Sequence, residues 1–311
     1  MNQTRALTEG AILASLYAVL FLITLFLPVL SLFTIFLLSL PFTIYTVRHG
    51  VKKSLVFVMT TIVLSIILGT VAAINVPILF GSVGVVMGHL YRKKISSFGL
   101  LAGTALTYLA NFILIYVISI LFLNINLIDA MKQSIEETIA LTENISGAVG
   151  GDAEATIQQL RDLVEIVPYL IPALFVILSV LFAFASIFVT NLLMKRFKVD
   201  IPHWEPFRNW SFPKSIIWYY LATILLQLTN PEQGSALYIV IMNLYIVLEI
   251  ILAIQGLAFI YFYFWVKKKG KTIPILITIS LFIIPVGLHV VRILGIIDLG
   301  FDLRKRIKPE A

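Results

Sequence analysis

The chain has 311 residues, of which 60% are hydrophobic and only 13% are charged, and its formal net charge is +7. A soluble fold needs more polar surface than this composition provides, so a soluble globular domain is excluded. The absence of cysteine excludes disulfides, thiolate metal sites and cysteine nucleophiles. Most Lys and Arg residues flank apolar runs, which is the positive-inside pattern of membrane proteins, and no nucleic-acid partner is expected.

Apolar runs of about 20 residues, each able to cross about 30 Å of hydrocarbon, predict an all-α, polytopic transmembrane bundle. Basic clusters such as Arg48–Lys53 and Tyr91–Lys94 follow every second run, which favours a multi-pass protein of the cell membrane with a cytoplasmic N-terminus. The predicted spans, in chain order, cover about residues 7–27, a run that ends before Arg48, 54–71, a run that ends at Tyr91, 98–123, a run that begins at Pro168 or Pro172, 215–228, 237–266 and 272–297.

The last apolar stretch, residues 272–297, leaves two topologies open. Nine full crossings would place the basic tail at 304–308 outside, against the positive-inside rule. Alternatively, the stretch breaks at Pro285 and returns along the inner surface. Its length favours a ninth crossing, so about eight to nine spans are expected.

An acidic segment interrupts the spans. From residue 124 to residue 165 the chain has eight acidic and two basic residues. Apolar residues keep helical spacing on both sides of a Gly-rich turn at 146–152, which predicts an extracellular amphipathic helical insert at 124–166. An acidic solvated loop without a function is the alternative.

Three domains follow from these boundaries. Residues 1–198 form a six-helix membrane core that includes the insert, and residues 215–311 form C-terminal transmembrane helices with a basic tail. Between them, 199–214 is a cytoplasmic loop rich in aromatic residues and proline. Its rings beside Arg and Lys suit the membrane interface. A docking loop for a cytoplasmic partner is the alternative.

Small residues mark one face of the first span. Gly10, Ala14 and Ala18 lie four residues apart, so they stack along a single helix face. Small-xxx-small faces of this kind are enriched where membrane helices approach closely. We therefore predict a helix-docking groove at these three positions.

Charged residues inside apolar runs are the main functional candidates, because ionisable groups at membrane depth are costly. Glu249 lies well inside span eight, and Gln255 follows about two turns later. Together with His289 and Arg292 they form a candidate intramembrane polar site. The alternatives are a structural pair of Glu249 with Arg292 or His289, and a ligand or proton site.

No catalytic motif is present. The spacings His-x-x-x-His and His-Glu-x-x-His do not occur, and there is no phosphate-binding Gly-x-x-x-x-Gly-Lys-Ser/Thr loop. We therefore expect no enzyme activity, no cofactor, no metal and no nucleotide motor in the chain itself. Gly81, Gly84 and Gly88 in span four predict close helix packing rather than phosphate binding.

With these residues in view, the chain resembles the YybS family of uncharacterised bacterial membrane proteins (domain of unknown function 2232) over nearly its full length. The resemblance is most specific at Arg48-His49-Gly50, in the region from Glu249 to Gln255-Gly256, and at Leu294-Gly295-Ile296-Ile297-Asp298 with Phe301 and Arg304.

More distantly, residues 7–195 resemble the substrate-capture S subunits of energy-coupling-factor transporters. Those six-helix proteins carry an Ala-x-x-x-Ala groove that docks on a transmembrane coupling subunit, and Ala14 and Ala18 match it. Their ligand pocket lies near the outer face, which implies Asn75 and Asn111 as a candidate outer pocket. The long outer loop and about three additional spans are not part of the S-subunit pattern.

Two functions from different classes fit these observations. The first is a non-enzymatic subunit that lies in the lipid bilayer, binds a small-molecule ligand and depends on partners such as a membrane coupling subunit. The second is a scaffold or regulatory protein that binds other envelope proteins without a solute. Fold likeness does not separate them, because function resides in sites.

Overall fold

The structure is a computed structural model that describes residues 3–149, 153–195, 201–283 and 286–307. Every regular element in these ranges is a helix, which confirms the all-α prediction. The α-helices are α1 (Gln3–Phe26), α2 (Pro28–Leu37), α3 (Leu40–His49), α4 (Val51–Leu68), α5 (Asn75–Arg92), α6 (Ser97–Leu123), α7 (Leu127–Val149), α8 (Glu154–Met194), α9 (Ser215–Gln227), α10 (Ala236–Val266), α11 (Thr272–Ile283), α12 (Val286–Phe301) and α13 (Leu303–Arg306), and two 3₁₀ helices cover Val71–Ile74 and Phe207–Asn209.

Among the described residues, seven helical segments are long and apolar enough to cross a membrane. This confirms the prediction of a polytopic membrane bundle. Helix α9, the predicted seventh span, has 13 residues and extends only about 20 Å. The seven segments are Thr4–Phe26, Pro28–His49, Val51–Leu68, Val71–Arg92, Ser97–Leu123, Glu154–Met194 and Ala236–Val266.

The last apolar stretch is helical over both of its described parts, α11 and α12. Residues 284 and 285, including the predicted break at Pro285, lie outside the described residues. The tail nevertheless lies beside the end of α10, because Arg304 stands over the Phe262 ring and bonds the Arg208 carbonyl oxygen before α9. A straight helix over residues 272–297 would end about 38 Å from its start, so the expected single ninth crossing is wrong and the alternative, in which the stretch breaks and returns, agrees with these contacts.

The acidic insert continues into span six as one helix. Helix α8 has 41 residues and runs through Pro168 and Pro172, so neither proline begins the helix, and the residue at which span six enters the membrane stays a prediction. Proline interrupts a helix by removing one N–H group, but membrane helices tolerate it where other groups satisfy the backbone. Here the Asn243 side chain donates to the Tyr169 carbonyl at 2.6 Å and accepts from the Ala173 N–H at 2.7 Å.

The chain divides into two compact units, which cross the predicted domain boundaries; those boundaries stay a prediction. Unit 1 comprises residues 1–127 and 175–203, and unit 2 comprises residues 128–174 and 204–311.

Unit 1 is packed around buried aromatic rings and neutral hydrogen bonds. The Tyr17 hydroxyl lies 2.7 Å from Ser65 Oγ, and the Tyr108 hydroxyl lies 2.7 Å from Ser186 Oγ. Both tyrosines are fully buried. These two contacts join helices of unit 1 through uncharged pairs that need no counter-ion in lipid.

Glycine allows α5 to lie against α3. A Cβ at Gly84 would stand 2.5 Å from the Ser39 carbonyl oxygen, and one at Gly88 would stand 2.7 Å from the Thr43 carbonyl oxygen. Only a residue without a side chain permits such an approach. The predicted role of these glycines in close helix packing is confirmed.

Candidate functional site

Unit 2 contains an ion pair in the interior of its longest helix. Glu249 lies about 20 Å from the start of α10 and about 26 Å from its end. Its Oε1 atom pairs with Nη1 of Arg292 on α12, and both side chains are largely buried, at 23% and 11% exposure. The second terminal nitrogen of Arg292 donates to Nδ1 of His289 on the same helix.

The structure thus brings together three of the four residues of the predicted intramembrane polar site. Arginine remains charged in proteins, so the guanidinium supplies a permanent positive charge beside the Glu249 carboxyl group. The imidazole of His289, which accepts a hydrogen bond from Arg292, adds a ring that can hydrogen-bond a polar solute through its other nitrogen. The cluster can therefore hold a polar solute that carries complementary charges.

Gln255, the fourth predicted residue, belongs to a separate network. Its Nε2 atom donates to Asp298 Oδ2 at 2.5 Å, and its Oε1 atom accepts from the Phe212 backbone N–H at 3.0 Å. Arg304 donates from Nε to the same Asp298 oxygen at 2.9 Å. The buried carboxylate is therefore neutralised by an arginine and held by an amide.

The loop before α9 is attached to this network. Arg304 donates to the Arg208 carbonyl oxygen at 2.8 Å, and the Arg208 guanidinium lies 4.5 Å from the centre of the Trp265 ring. Phe207 packs edge-on against Tyr261, with ring centres 5.4 Å apart. These contacts are made within unit 2, so they occupy part of the surface that the docking-loop alternative requires.

Two glycines set the distance between α10 and α12. A Cβ at Gly256 would overlap the Val291 carbonyl oxygen, and one at Gly295 would overlap the Leu252 carbonyl oxygen. The two backbones therefore touch between the two polar clusters. This contact explains how short side chains such as Asp298 reach across to α10.

Asp298 and Arg304 were not among the predicted site residues. The sequence did contain one signal, a glycine close to a polar residue on each helix. Gly295 and Asp298 lie three residues apart on one face of α12, and Gly256 directly follows Gln255 on α10. A small residue beside a polar one on each of two apolar helices is typical of a close, hydrogen-bonded helix pair.

The predicted groove on α1 lies partly against its own unit. Gly10 faces the Tyr45 ring, which a Cβ would meet at 3.4 Å, and Ala14 packs against the buried core of unit 1. Ala18 is half-buried. Ile12 and Val19 are exposed on the opposite face, whereas Leu7, which is 73% exposed, lies on the face of the groove, seven residues before Ala14. Docking of a separate protein in this groove stays a prediction.

The two residues of the predicted outer pocket have different environments. Asn75 is exposed in the first turn of α5. Asn111 on α6 is buried and donates to Ser82 Oγ on α5 at 2.8 Å and to the Thr107 carbonyl oxygen at 2.9 Å. Asn111 therefore joins two helices, and a ligand role for the pair stays a prediction.

At the end of α12, an exposed carboxylate carries a perturbed pKa. Lys214 Nζ lies 2.6 Å from Asp302 Oδ2, and Lys305 Nζ lies 3.5 Å from the same oxygen. The hydrogen bond from Lys214, together with the charge of both lysines, lowers the pKa of Asp302 below its usual value.

Among the described residues, no group of three or more His, Asp and Glu side chains is placed to hold a metal ion.

The comparisons with known proteins agree with this architecture. The profile of a family described as "Predicted membrane protein (DUF2232)" matches residues 15–299. The "Uncharacterized protein YybS" of Bacillus subtilis (strain 168) is 34% identical over 310 residues, which cover 99% of this chain and 100% of that protein. No solved structure gives a significant match. The chain therefore belongs to the DUF2232 family of predicted membrane proteins.

Proposed function

We propose that this protein is a non-enzymatic subunit of the cell membrane, with a cytoplasmic N-terminus, that binds a small polar solute and works with partner proteins. The observation that carries the proposal is the cluster of Glu249, Arg292 and His289. Charged side chains at membrane depth are costly and commonly mark solute or ion pathways.

The composition of the two polar clusters supports a division of roles within unit 2. Gln255, Asp298 and Arg304 bind one another and the adjacent loop, which suits a structural role. In contrast, Glu249 and Arg292 bind each other, and His289 is exposed beside them. A solute with complementary charges can exchange with this pair without leaving an unpaired charge.

Native mass spectrometry of the protein, purified in a gentle detergent, tests the proposal. We expect a retained small molecule on the wild-type protein and none on the double variant Glu249→Leu with Arg292→Leu. The matched control, Lys214→Gln with Asp302→Asn, removes an ion pair at the end of the same unit and should keep the molecule. A wild-type spectrum without any bound molecule, or equal retention by both variants, would contradict the proposal.

The dependence on partners has its own test, because the α1 groove also packs internally. Ala18→Leu should reduce co-purification of a membrane partner, whereas Val19→Leu on the exposed face should not. Thermal unfolding of both variants separates lost docking from lost packing. Co-purification that is unchanged in a folded Ala18→Leu protein would argue against docking at this groove.

A scaffold function is the second candidate, and the exposed apolar residues of α7 favour it. Leu141 and Ile145 are 62% and 63% exposed on a helix that is not among the candidate spans. If envelope proteins bind there, Leu141→Gln with Ile145→Gln should abolish their co-purification and leave α7 folded. Thr138→Gln on the same helix is the control and should have no effect.

A further inference from the structure

Unit 2 contains a basic cavity at the turn between α10 and α11, at the opposite end of α10 from its first residue. The cavity has a volume of about 310 Å³, and its lining contains three cations and no acidic residue. The proposed solute site does not use it, because Glu249 lies about 26 Å from this end of the helix. The charged and aromatic residues of its lining are Arg208, Tyr261, Phe264, Trp265, Lys269 and Lys271.

The cations of this cavity have no carboxylate partner among the described residues. The Arg208 guanidinium lies 4.5 Å from the centre of the Trp265 ring, and no described carboxylate pairs with it. Lys269 and Lys271 are exposed, and their side chains make no ion pair or hydrogen bond with a described residue. Three uncompensated positive charges around one cavity attract an anion.

An apolar groove begins where the basic cavity ends. The groove has a volume of about 580 Å³ and lies between α11 and α12, against the last turns of α10. Phe264 lines both spaces, so they meet at its ring. The large apolar residues of the groove include Phe264, Ile277, Leu281, Val290, Leu294 and Ile307.

The spacing along α11 makes the cavity and the groove one continuous path. Pro274 lines the cavity, whereas Ile277 and Leu281, three and seven residues later, line the groove on the same helix face. At a rise of 1.5 Å per residue, the path from Pro274 to Leu281 is about 10 Å long. Val290, which borders the groove, is 57% exposed, so the groove is open to the surroundings of the helices. A molecule that fits this path has an anionic end and an apolar chain.

The level of the cavity in the bilayer indicates what such a molecule is. Trp and Tyr rings beside lysines are typical of the depth at which lipid headgroups lie. Lysine-rich turns are typical of the cytoplasmic side, where the membrane surface is rich in anionic lipids, and basic pockets between helices on this side bind their headgroups. The groove then extends from headgroup level into the hydrocarbon.

We propose that the basic cavity and the apolar groove together bind one anionic phospholipid. Arg208, Lys269 and Lys271 bind the headgroup phosphate, and the planar fork of Arg208 can donate two parallel hydrogen bonds to it. One acyl chain passes Phe264 and lies in the groove between α11 and α12. A zwitterionic lipid binds less tightly, because its ammonium group is repelled by the same three cations.

The headgroup part of the proposal is tested on the full-length protein in a gentle detergent. Dioleoylphosphatidylglycerol is titrated into the protein and followed by native mass spectrometry, with dioleoylphosphatidylcholine as the zwitterionic comparison. Lys269→Gln with Lys271→Gln removes two exposed charges of the cavity. Lys52→Gln with Lys53→Gln is the matched control, because it removes two exposed lysines from the start of α4 in unit 1.

The acyl-chain part is tested by two variants of α12 in the same titration. Val290→Trp fills the groove with a larger side chain. Ile293→Trp is the matched control, because Ile293 is exposed to a similar extent, 55% against 57%, but lies outside the groove lining. Thermal unfolding shows whether each variant is folded.

We expect the wild type to bind phosphatidylglycerol more tightly than phosphatidylcholine, and both controls to match it. The lysine variant of the cavity should weaken phosphatidylglycerol binding about thirtyfold, as expected for two lost charges near the membrane surface. Val290→Trp should weaken it about tenfold, as expected if about two CH₂ groups of the chain are displaced. Equal affinity for the two lipids would overturn the proposal, and so would equal affinities of either variant and its control.

Discussion

Tyr17 and Tyr108 in unit 1 each pair with a serine hydroxyl on another helix, whereas Glu249 and Asp298 in unit 2 each face an arginine. Neutral hydrogen bonds between membrane helices contribute about 0.6 kcal/mol on average, so they can be lost one at a time. A buried ion pair behaves differently, because removing one partner leaves an uncompensated charge. The two units should therefore respond to mutation in different ways.

The largest effect is expected at the ion pair of unit 2. Glu249→Leu alone should lower the free energy of unfolding by about 3–5 kcal/mol, because it leaves Arg292 charged and unpaired. The double variant Glu249→Leu with Arg292→Leu should unfold close to the wild type. Thermal unfolding in detergent measures both. A double variant as unstable as the single one would mean that the two charges are not coupled.

A smaller effect is expected where α10 and α12 touch. Gly295→Ala should cost about 1–3 kcal/mol, because the added methyl group overlaps the Leu252 carbonyl and forces the helices apart. Gly270→Ala is the control, since nothing lies within 4 Å of that position. The same unfolding assay compares them, and equal stabilities of the two variants would show that the helices are not in backbone contact.

In unit 1, single losses should be small. Ser186→Ala removes the partner of the Tyr108 hydroxyl and should lower the free energy of unfolding by about 0.6 kcal/mol. Tyr108→Phe, which removes the other partner of the same bond, serves as the comparison and should give a similar value. A loss as large as that of Glu249→Leu in either variant would remove the contrast between the units.

The smallest effect is expected from the exposed pair of Lys214 and Asp302. Since the folded state lowers the pKa of Asp302, its contribution to stability is present above the unfolded pKa of about 3.9 and is lost as the pH falls through the folded value. Asp302→Asn should therefore be slightly less stable than the wild type at pH 7 and equally stable at the acid end. Unfolding at pH 7 and near pH 2 compares them. A difference that grows towards acid pH would reverse this sign.

Much of the fold was predictable from the sequence because it depends on long apolar runs, and the small-residue spacing of α5 correctly indicated close packing. The course of α8 was not, because the prolines that suggested a helix start lie within it. What keeps the helix intact is Asn243, whose side chain bonds Tyr169 and Ala173 from 70 or more residues away. A long-range amide contact of this kind leaves no local signal.

The candidate site was predictable only in part, because its charged residues stand out in the sequence but their partners do not. Glu249 and Arg292 stand out because charges are rare in apolar runs, and a charge needs a nearby partner. Gln255 was grouped with them by its position on α10, yet it bonds Asp298 near the end of α12. Its partner depends on how Gly256 and Gly295 bring the two backbones together, which only the three-dimensional arrangement reveals.

The measurement that tests the solute site most directly is native mass spectrometry of the charge-swapped protein, Glu249→Arg with Arg292→Glu, beside the wild type. The swap keeps an ion pair, so the protein should fold, but it reverses the charges that a solute would meet. We predict that the wild type carries a small molecule and that the folded swap variant does not. Equal amounts of the molecule on both proteins would show that the pair is structural and that the ligand binds elsewhere.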